Sequence, residues 1–203
     1  MKITYQTDQP LTNEACKAAT GKTIDEWYAT LDDFEAIKKG RRDTTVFLRD
    51  DQKVDLWWCN TLAVEYEAAR GVKEKDGRVK GYFICSTKTI AAPFEKVYQA
   101  WVDEALLSKW LGEGAKVNLT EGNGFETADG NKAEFKRIRE NKDLRFIWKG
   151  ESDESLVDMS VADKGGKTYL LINHDRIQTK AEADGLRNAW AEAVNRLKAL
   201  VEG

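Results

Sequence analysis

Histidine occurs once in the 203 residues, at position 174. No multi-histidine metal site can therefore be built, and a nucleophile–histidine–carboxylate site would have one candidate base. Cysteine is also scarce. Cys16, Cys59 and Cys85 are odd in number, widely spaced and free of any CxxC pair, which speaks against both a disulfide framework and a zinc knuckle. With two prolines and 15 glycines the chain is neither linker-rich nor disordered in composition. No stretch approaches the ~18 apolar residues of a membrane span. The opening MKITYQTDQP lacks the apolar run of a signal peptide. The expected compartment is the cytoplasm with reduced thiols. Charge of one sign is missing too. The net charge of -3 is spread over mixed acidic and basic residues, which makes no case for nucleic acid or an anionic membrane as partner. The short basic run Lys38-Lys39-Gly40-Arg41-Arg42, followed by Asp43, reads as a solvated helix end. Gly112-Glu113-Gly114 and Gly122-Asn123-Gly124 do not continue into a dinucleotide or phosphate-loop motif and read as turns. No cofactor or metal is implied.

What is present is a high content of charge and seven tryptophans. The length suits one large domain or two small ones. The first part has helical signals. Residues 12–19 form a short helix candidate closed by Gly21. Thr23-Ile24-Asp25-Glu26 is a capping box, in which Thr23 accepts from the backbone at Glu26 and Glu26 reaches back. The helix it opens carries Ile24, Trp27, Tyr28 and Leu31 at helical spacing. A further helix is expected over 43–51 and a longer one over 56–70, stopped by Gly71. Each is too short to stand alone in water and must pack. The polar stretch 72–80, with Asp76-Gly77, is the expected boundary. The expected division is a helical domain over 1–78 and a second domain over 79–203.

In the second part the hydrophobic period falls to two. A strand is expected over 82–90, then helices over 93–101 and 103–111. Strands follow over 116–119, 125–127, 132–139, 144–148, 156–161 and 168–176, separated by turn residues such as Asp129-Gly130 and Gly165-Gly166. Tight turns of this kind join antiparallel strands. A last helix opens on Thr179-Lys180-Ala181-Glu182, a second capping box. It shows one apolar stripe through Leu186, Trp190, Ala193, Val194, Leu197 and Leu200. One stripe on a long helix and one apolar sheet face make two layers around a core. The fold class is thus α+β: an antiparallel sheet gripped by a long C-terminal helix, preceded by a small all-α domain. The strand over 168–176 is apolar on both faces, with Tyr169 and Leu171 opposite Leu170 and Ile172. Its outer face is therefore expected to be covered, by the helical part or by a second subunit.

Certain words in the chain have the look of a known family. Lys88-Thr89-Ile90-Ala91-Ala92-Pro93-Phe94-Glu95-Lys96-Val97-Tyr98-Gln99-Ala100-Trp101 resembles the opening signature of the family named for the activator of the ninety-kilodalton heat-shock chaperone's ATPase. Asp103-Glu104-Ala105-Leu106-Leu107-Ser108-Lys109-Trp110-Leu111-Gly112 resembles its next motif. Leu171-Ile172-Asn173-His174 resembles its last strand, and Trp190 with Asn195-Arg196-Leu197-Lys198 its closing helix. Ala189 departs from the pattern, since the family often has glycine there. The resemblance covers about residues 81–202 and implies the START-like, or SRPBCC, helix-grip fold. In the first part, Thr20-Gly21-Lys22-Thr23-Ile24-Asp25-Glu26-Trp27 and Val64-Glu65-Tyr66-Glu67-Ala68-Ala69-Arg70-Gly71 resemble a small helical domain of unknown function.

The resemblance implies a cavity between sheet and C-terminal helix, holding a small apolar ligand in many members of the superfamily. Alternation nominates Phe146, Trp148, Val157, Met159 and Val161 from the strands, and Trp190 and Val194 from the helix, as its lining. The same residues would equally fill a solid core. His174 is either a polar group of the cavity, acting as base or donor, or a histidine that ties the last strand to its neighbours. Glu126, Glu134 and Asp158 lie in strands without a spacing that pairs them. Three functions stand open: non-catalytic binding of an apolar ligand, a co-chaperone-like interaction module working with a chaperone or as a homodimer, and a cavity enzyme using His174.

Overall fold

The computed structural model describes residues 1–150 and 153–203. Contacts divide the chain into a helical unit, Thr7–Tyr82, and a sheet unit made of Phe83–Gly203 together with Met1–Gln6.

In the helical unit, α1 (Asn13–Thr20) starts where Thr12 accepts from the Ala15 backbone N–H and ends at Gly21, whose φ of 84° is left-handed. The capping box at α2 (Ile24–Asp33) is complete. Glu26 N–H donates to Thr23 Oγ1 (3.2 Å) and Thr23 N–H donates to Glu26 Oε2 (2.7 Å). Short α3 (Ala36–Lys39) and α4 (Arg41–Val46) follow, and the basic run lies across their junction. The expected helix over 43–51 is not uniform. After Val46 it widens into a π-helical turn, Phe47–Asp51. That wider turn lets two adjacent side chains pack inward: Phe47 stacks on Phe34 at 4.0 Å, and Leu48 is fully buried. Helix α5 (Leu56–Ala69), capped by Asp55, is the centre of the unit. Its Trp58, Cys59, Leu62 and Tyr66 pack with Cys16, Trp27, Leu31 and Leu48 in one core. Asp32 accepts from Tyr66 Oη (2.7 Å) and from Arg70 Nε (2.9 Å), clamping α2 to the end of α5.

The sheet unit begins with β1 (Tyr82–Ile90), whose first residue belongs by contact to the helical unit. Helices α6 (Phe94–Val102) and α7 (Glu104–Trp110) come next. Then follow β2 (Lys116–Val117), β3 (Gly124–Glu126), β4 (Lys132–Arg139), β5 (Asp143–Lys149), β6 (Glu154–Asp163), β7 (Thr168–Ile177) and α8 (Lys180–Glu202). The seven strands are ordered β1-β7-β6-β5-β4-β3-β2. The registered pairs from β2 to β7 are antiparallel, as the short turns require. Strand β2 is shorter than the expected 116–119: Asn118 N–H still donates across to Gly124 O (2.8 Å), and the chain then turns, with Thr120 N–H donating back to Asn118 O (2.9 Å). Along β6 and β7 burial alternates residue by residue. Thus α+β helix-grip architecture, with a small helical unit before it, is what the chain adopts.

Candidate functional site

The register of the sheet decides which nominated residues meet. Phe146 faces Val157 across β5 and β6, Val157 faces His174 across β6 and β7, and Met159 faces Ile172. All point to the buried side of the sheet, together with Trp148 and Val161. From α8, Trp190 and Val194 are buried as well. The eight nominated residues are therefore assembled in one interior.

They pack ring against ring there. Trp148 lies 5.6 Å from Trp190 between centroids and 6.1 Å from the His174 ring. Trp101, brought in by α6, lies 4.7 Å from Trp110, 5.9 Å from Trp190 and 6.3 Å from Phe146. Phe125 and Phe135 complete the cluster against Phe146, at 5.6 and 6.2 Å. Offset and edge-on arrangements at these distances are favourable aromatic contacts. Trp101, Trp110, Phe125 and Phe135 were not nominated. The first two lie in short helices whose period fixes no single face. The other two lie in strands whose alternation could have named them.

His174 is fully buried, and both ring nitrogens are engaged. The Trp190 indole N–H donates to Nδ1 (3.0 Å), and Nε2 lies 2.7 Å from Ser155 Oγ. An indole nitrogen can only donate, so Nδ1 is an acceptor and the imidazole proton sits on Nε2. The ring then donates to Ser155 Oγ. A histidine that activates a serine needs the opposite tautomer, with Nε2 free to take the proton. Burial also pushes the imidazole pKa down to about 3. The ring is a neutral tie between β7, β6 and α8.

One opening in the sheet unit lies at an end of the core. A cleft of about 1270 Å³ runs between the end of α7, the β3–β4 hairpin, the end of β5, and α8. Of the nominated residues only Trp148 lines it. The floor is apolar, with Trp110 and Leu111, and the rim is charged, with Lys109, Glu113, Glu192 and Arg196. Asp129 is fixed in its wall. Asn131 Nδ2 donates to its Oδ1 (2.6 Å), Thr127 Oγ1 donates to the same oxygen, and the Met1 amino group donates to Oδ2 (2.7 Å). Burial works against the Asp129 carboxylate, but these hydrogen bonds outweigh it and hold its pKa below the ordinary value.

A second group of buried charge opens α8. Lys180 Nζ and Arg187 Nη1 both reach Asp184 Oδ1, at 2.7 and 2.5 Å, with the Asp184 side chain wholly buried. Such a pair is costly to break from one side. Among the described residues, no group of three or more His, Cys, Asp or Glu could hold a metal ion. Among the same residues no helix is long and apolar enough to cross a membrane.

Residues 91–202 match the family model described as "Activator of Hsp90 ATPase homolog 1-like protein". The chain belongs to this family. A comparison with curated proteins returned no match. Among solved structures, the Hsp90 activator PFC0360w from Plasmodium falciparum superposes with a TM-score of 0.54 at 23% identity, covering 59% of this chain and 96% of that one. The Aha1 dimer from Colwellia psychrerythraea gives 0.52 at 18%, covering 60% and 96%. CalU16 from Micromonospora echinospora gives 0.54 at 22%, covering 60% and 74%. These likenesses speak to the fold. Within the activator-like fold, the architecture is one that can bind a ligand or a protein.

Proposed function

We propose that this activator-like chain is a protein-interaction module of the co-chaperone type, which engages a chaperone ATPase and stimulates it without chemistry of its own. The observation that carries the reading is where the open surface lies. Of the residues nominated for a ligand cavity only Trp148 reaches the cleft, which has an apolar floor and a charged rim. An apolar centre with a polar rim is the usual anatomy of a protein contact. The family description and the Plasmodium activator supply the class of partner. The test is to add the purified chain to a ninety-kilodalton heat-shock chaperone and follow ATP hydrolysis. Stimulation that saturates with added chain, and a complex on gel filtration, is the expected result. An unchanged rate with no complex would end this reading.

A second reading, binding of a small apolar ligand, has Trp148, Trp110 and Leu111 at the cleft in its favour. A native mass spectrum carrying a bound apolar adduct would promote it over the first.

A further inference from the structure

Nine asparagines stand in the chain, and one of them, Asn123, is followed by glycine. Such an asparagine can react with its own main chain, because glycine has no side chain to hinder its nitrogen from attacking the neighbouring amide carbon. What decides is whether the reacting groups are engaged. Asn123 is exposed and Gly124 is half-buried. Phe135 N–H donates to Asn123 O (2.6 Å), while Gly124 lies opposite Glu134. A bond in that place flanks a pair that has no hydrogen bonds of its own, so the Gly124 N–H points away from β4. On the β2 side Asn118 N–H donates to Gly124 O (2.8 Å), without a return bond from Gly124 N–H. Among the described residues the Asn123 side chain has no hydrogen-bond partner either. The glycine is fixed by packing, since a side-chain carbon there would overlap the Ala133 carbonyl group. The asparagine is not. Its φ lies outside the left-handed region that favours this residue, and its side chain holds nothing in place. The sheet thus demands the glycine, and the exposed turn sets an unengaged amide before it.

We propose that Asn123 is a site of spontaneous deamidation, and that the product releases the β2–β3 edge of the sheet. The Gly124 nitrogen attacks Asn123 Cγ. The N–Cγ bond forms, the Cγ–Nδ2 bond breaks, and the Gly124 N–H proton leaves with Nδ2 as ammonia. Water then opens the resulting succinimide at one of its two carbonyls. Opening at Cγ gives aspartate. Opening at the main-chain carbonyl gives isoaspartate, in which the chain runs through Cβ and Cγ. The carbonyl that accepted from Phe135 N–H is then a free carboxylate outside the main chain. The lengthened chain cannot keep that bond and the Asn118–Gly124 bond in register together. Strand β2 has two residues and β3 has three, so few other bonds hold this edge. The same bonds set the pace, because ring closure must turn a peptide that they fix and so waits on local opening of the edge. The inference is independent of what the chain binds.

The test ages the full chain at mildly alkaline pH and maps it by peptide mass spectrometry. The small mass gain of replacing an amide NH2 by OH should appear at Asn123 at least about tenfold faster than at Asn118, which leucine follows, because unhindered attack has the lower barrier. Part of the product should be isoaspartate, detected as a methyl acceptor for an isoaspartate methyltransferase. In the aged chain, amides of β2 and β3 should lose hydrogen-exchange protection while those of β6, β7 and α8 keep theirs. Asn123→Gln, which must close a larger ring, should age without either change. Asn123→Asp carries the new charge without the longer chain and should keep its protection. A mass gain at Asn123 no faster than at Asn118, or one seen only when the chain is unfolded in urea, overturns the proposal. So does an aged chain whose β2 and β3 stay protected, or an equal loss of protection in aged Asn123→Gln.

Discussion

The Trp190 indole N–H donates to His174 Nδ1 at 3.0 Å, and this one bond sets the tautomer of the chain's single histidine. It joins the long helix to the last strand in the middle of the core, and it makes the ring a donor toward Ser155. A neutral, enclosed imidazole has a consequence for stability. His174 has a pKa of about 3 in the folded chain, against an ordinary 6.5. Between these values the unfolded chain binds the extra proton and the folded chain does not. The contribution of the neutral ring is therefore whole above pH 6.5 and is lost as pH falls toward 3, with a slope of about 1.4 kcal/mol per pH unit. Urea titrations at pH 7 and pH 5 should differ by that slope beyond the share of other groups, and His174→Gln should remove this part of the difference. A variant with the unchanged pH profile would contradict the enclosed neutral ring.

Phe146 sits at the centre of the sheet face, against Trp101, Phe125 and Phe135. If the interior is filled, Phe146→Ala opens a hole where none existed. The expected loss of stability is about 3–5 kcal/mol. The enlarged space should bind xenon or benzene, as dry apolar cavities do, and the parent chain should not. Equal uptake of xenon by the parent would mean that the interior already holds a ligand-sized void.

The helical unit offers a smaller and cleaner change. Thr23 caps α2 by accepting from Glu26 N–H, and Glu26 returns the bond. Thr23→Ala removes one acceptor and should cost about 1 kcal/mol, read as a fall in the denaturation midpoint. Thr23→Asp should recover most of that loss. If alanine costs nothing, the cap is not holding the helix.

Much of the fold was legible because local chemistry and global packing agree. Thr12, Thr23 and Thr179 stand at helix starts, and each accepts the backbone bond its position requires. The alternation of Phe146 and Trp148 with Arg145 and Lys149 separates the buried face from the charged one, where Arg145 pairs with Asp158. Other features have no periodic signal. Phe47 of the π-helical turn Phe47–Asp51 stacks on Phe34, a contact that no local period announces. The Ser155 partner of His174 depends on strand register rather than on spacing. The place of Met1–Gln6 in the sheet unit could not be read from MKITYQ, because its partners Gly185, Leu111 and Asp129 all lie more than a hundred residues away. Alternation marks Phe146, Trp148, Val157, Met159 and Val161, and a helical stripe marks Trp190 and Val194, but neither pattern distinguishes the lining of a cavity from the filling of a core.

Gly124 opens β3 where that strand pairs with β4, opposite Glu134. A side-chain carbon there would stand 1.6 Å from the Ala133 carbonyl oxygen and 2.6 Å from its carbon, both backbone atoms. No rotamer can relieve such an overlap, so one strand must move away from the other. Gly124→Ala should therefore cost on the order of 3 kcal/mol and should loosen β2 and β3 ahead of the rest. Hydrogen exchange is the measurement: amides of β3 and of the β3–β4 hairpin should lose protection, while those of β6, β7 and α8 keep theirs. Because that hairpin carries Asp129 and one wall of the cleft, the same variant should weaken partner binding through a wall that no longer holds its place. Uniform loss of protection across the whole sheet would show instead that the edge strands and the centre of the sheet unfold as one.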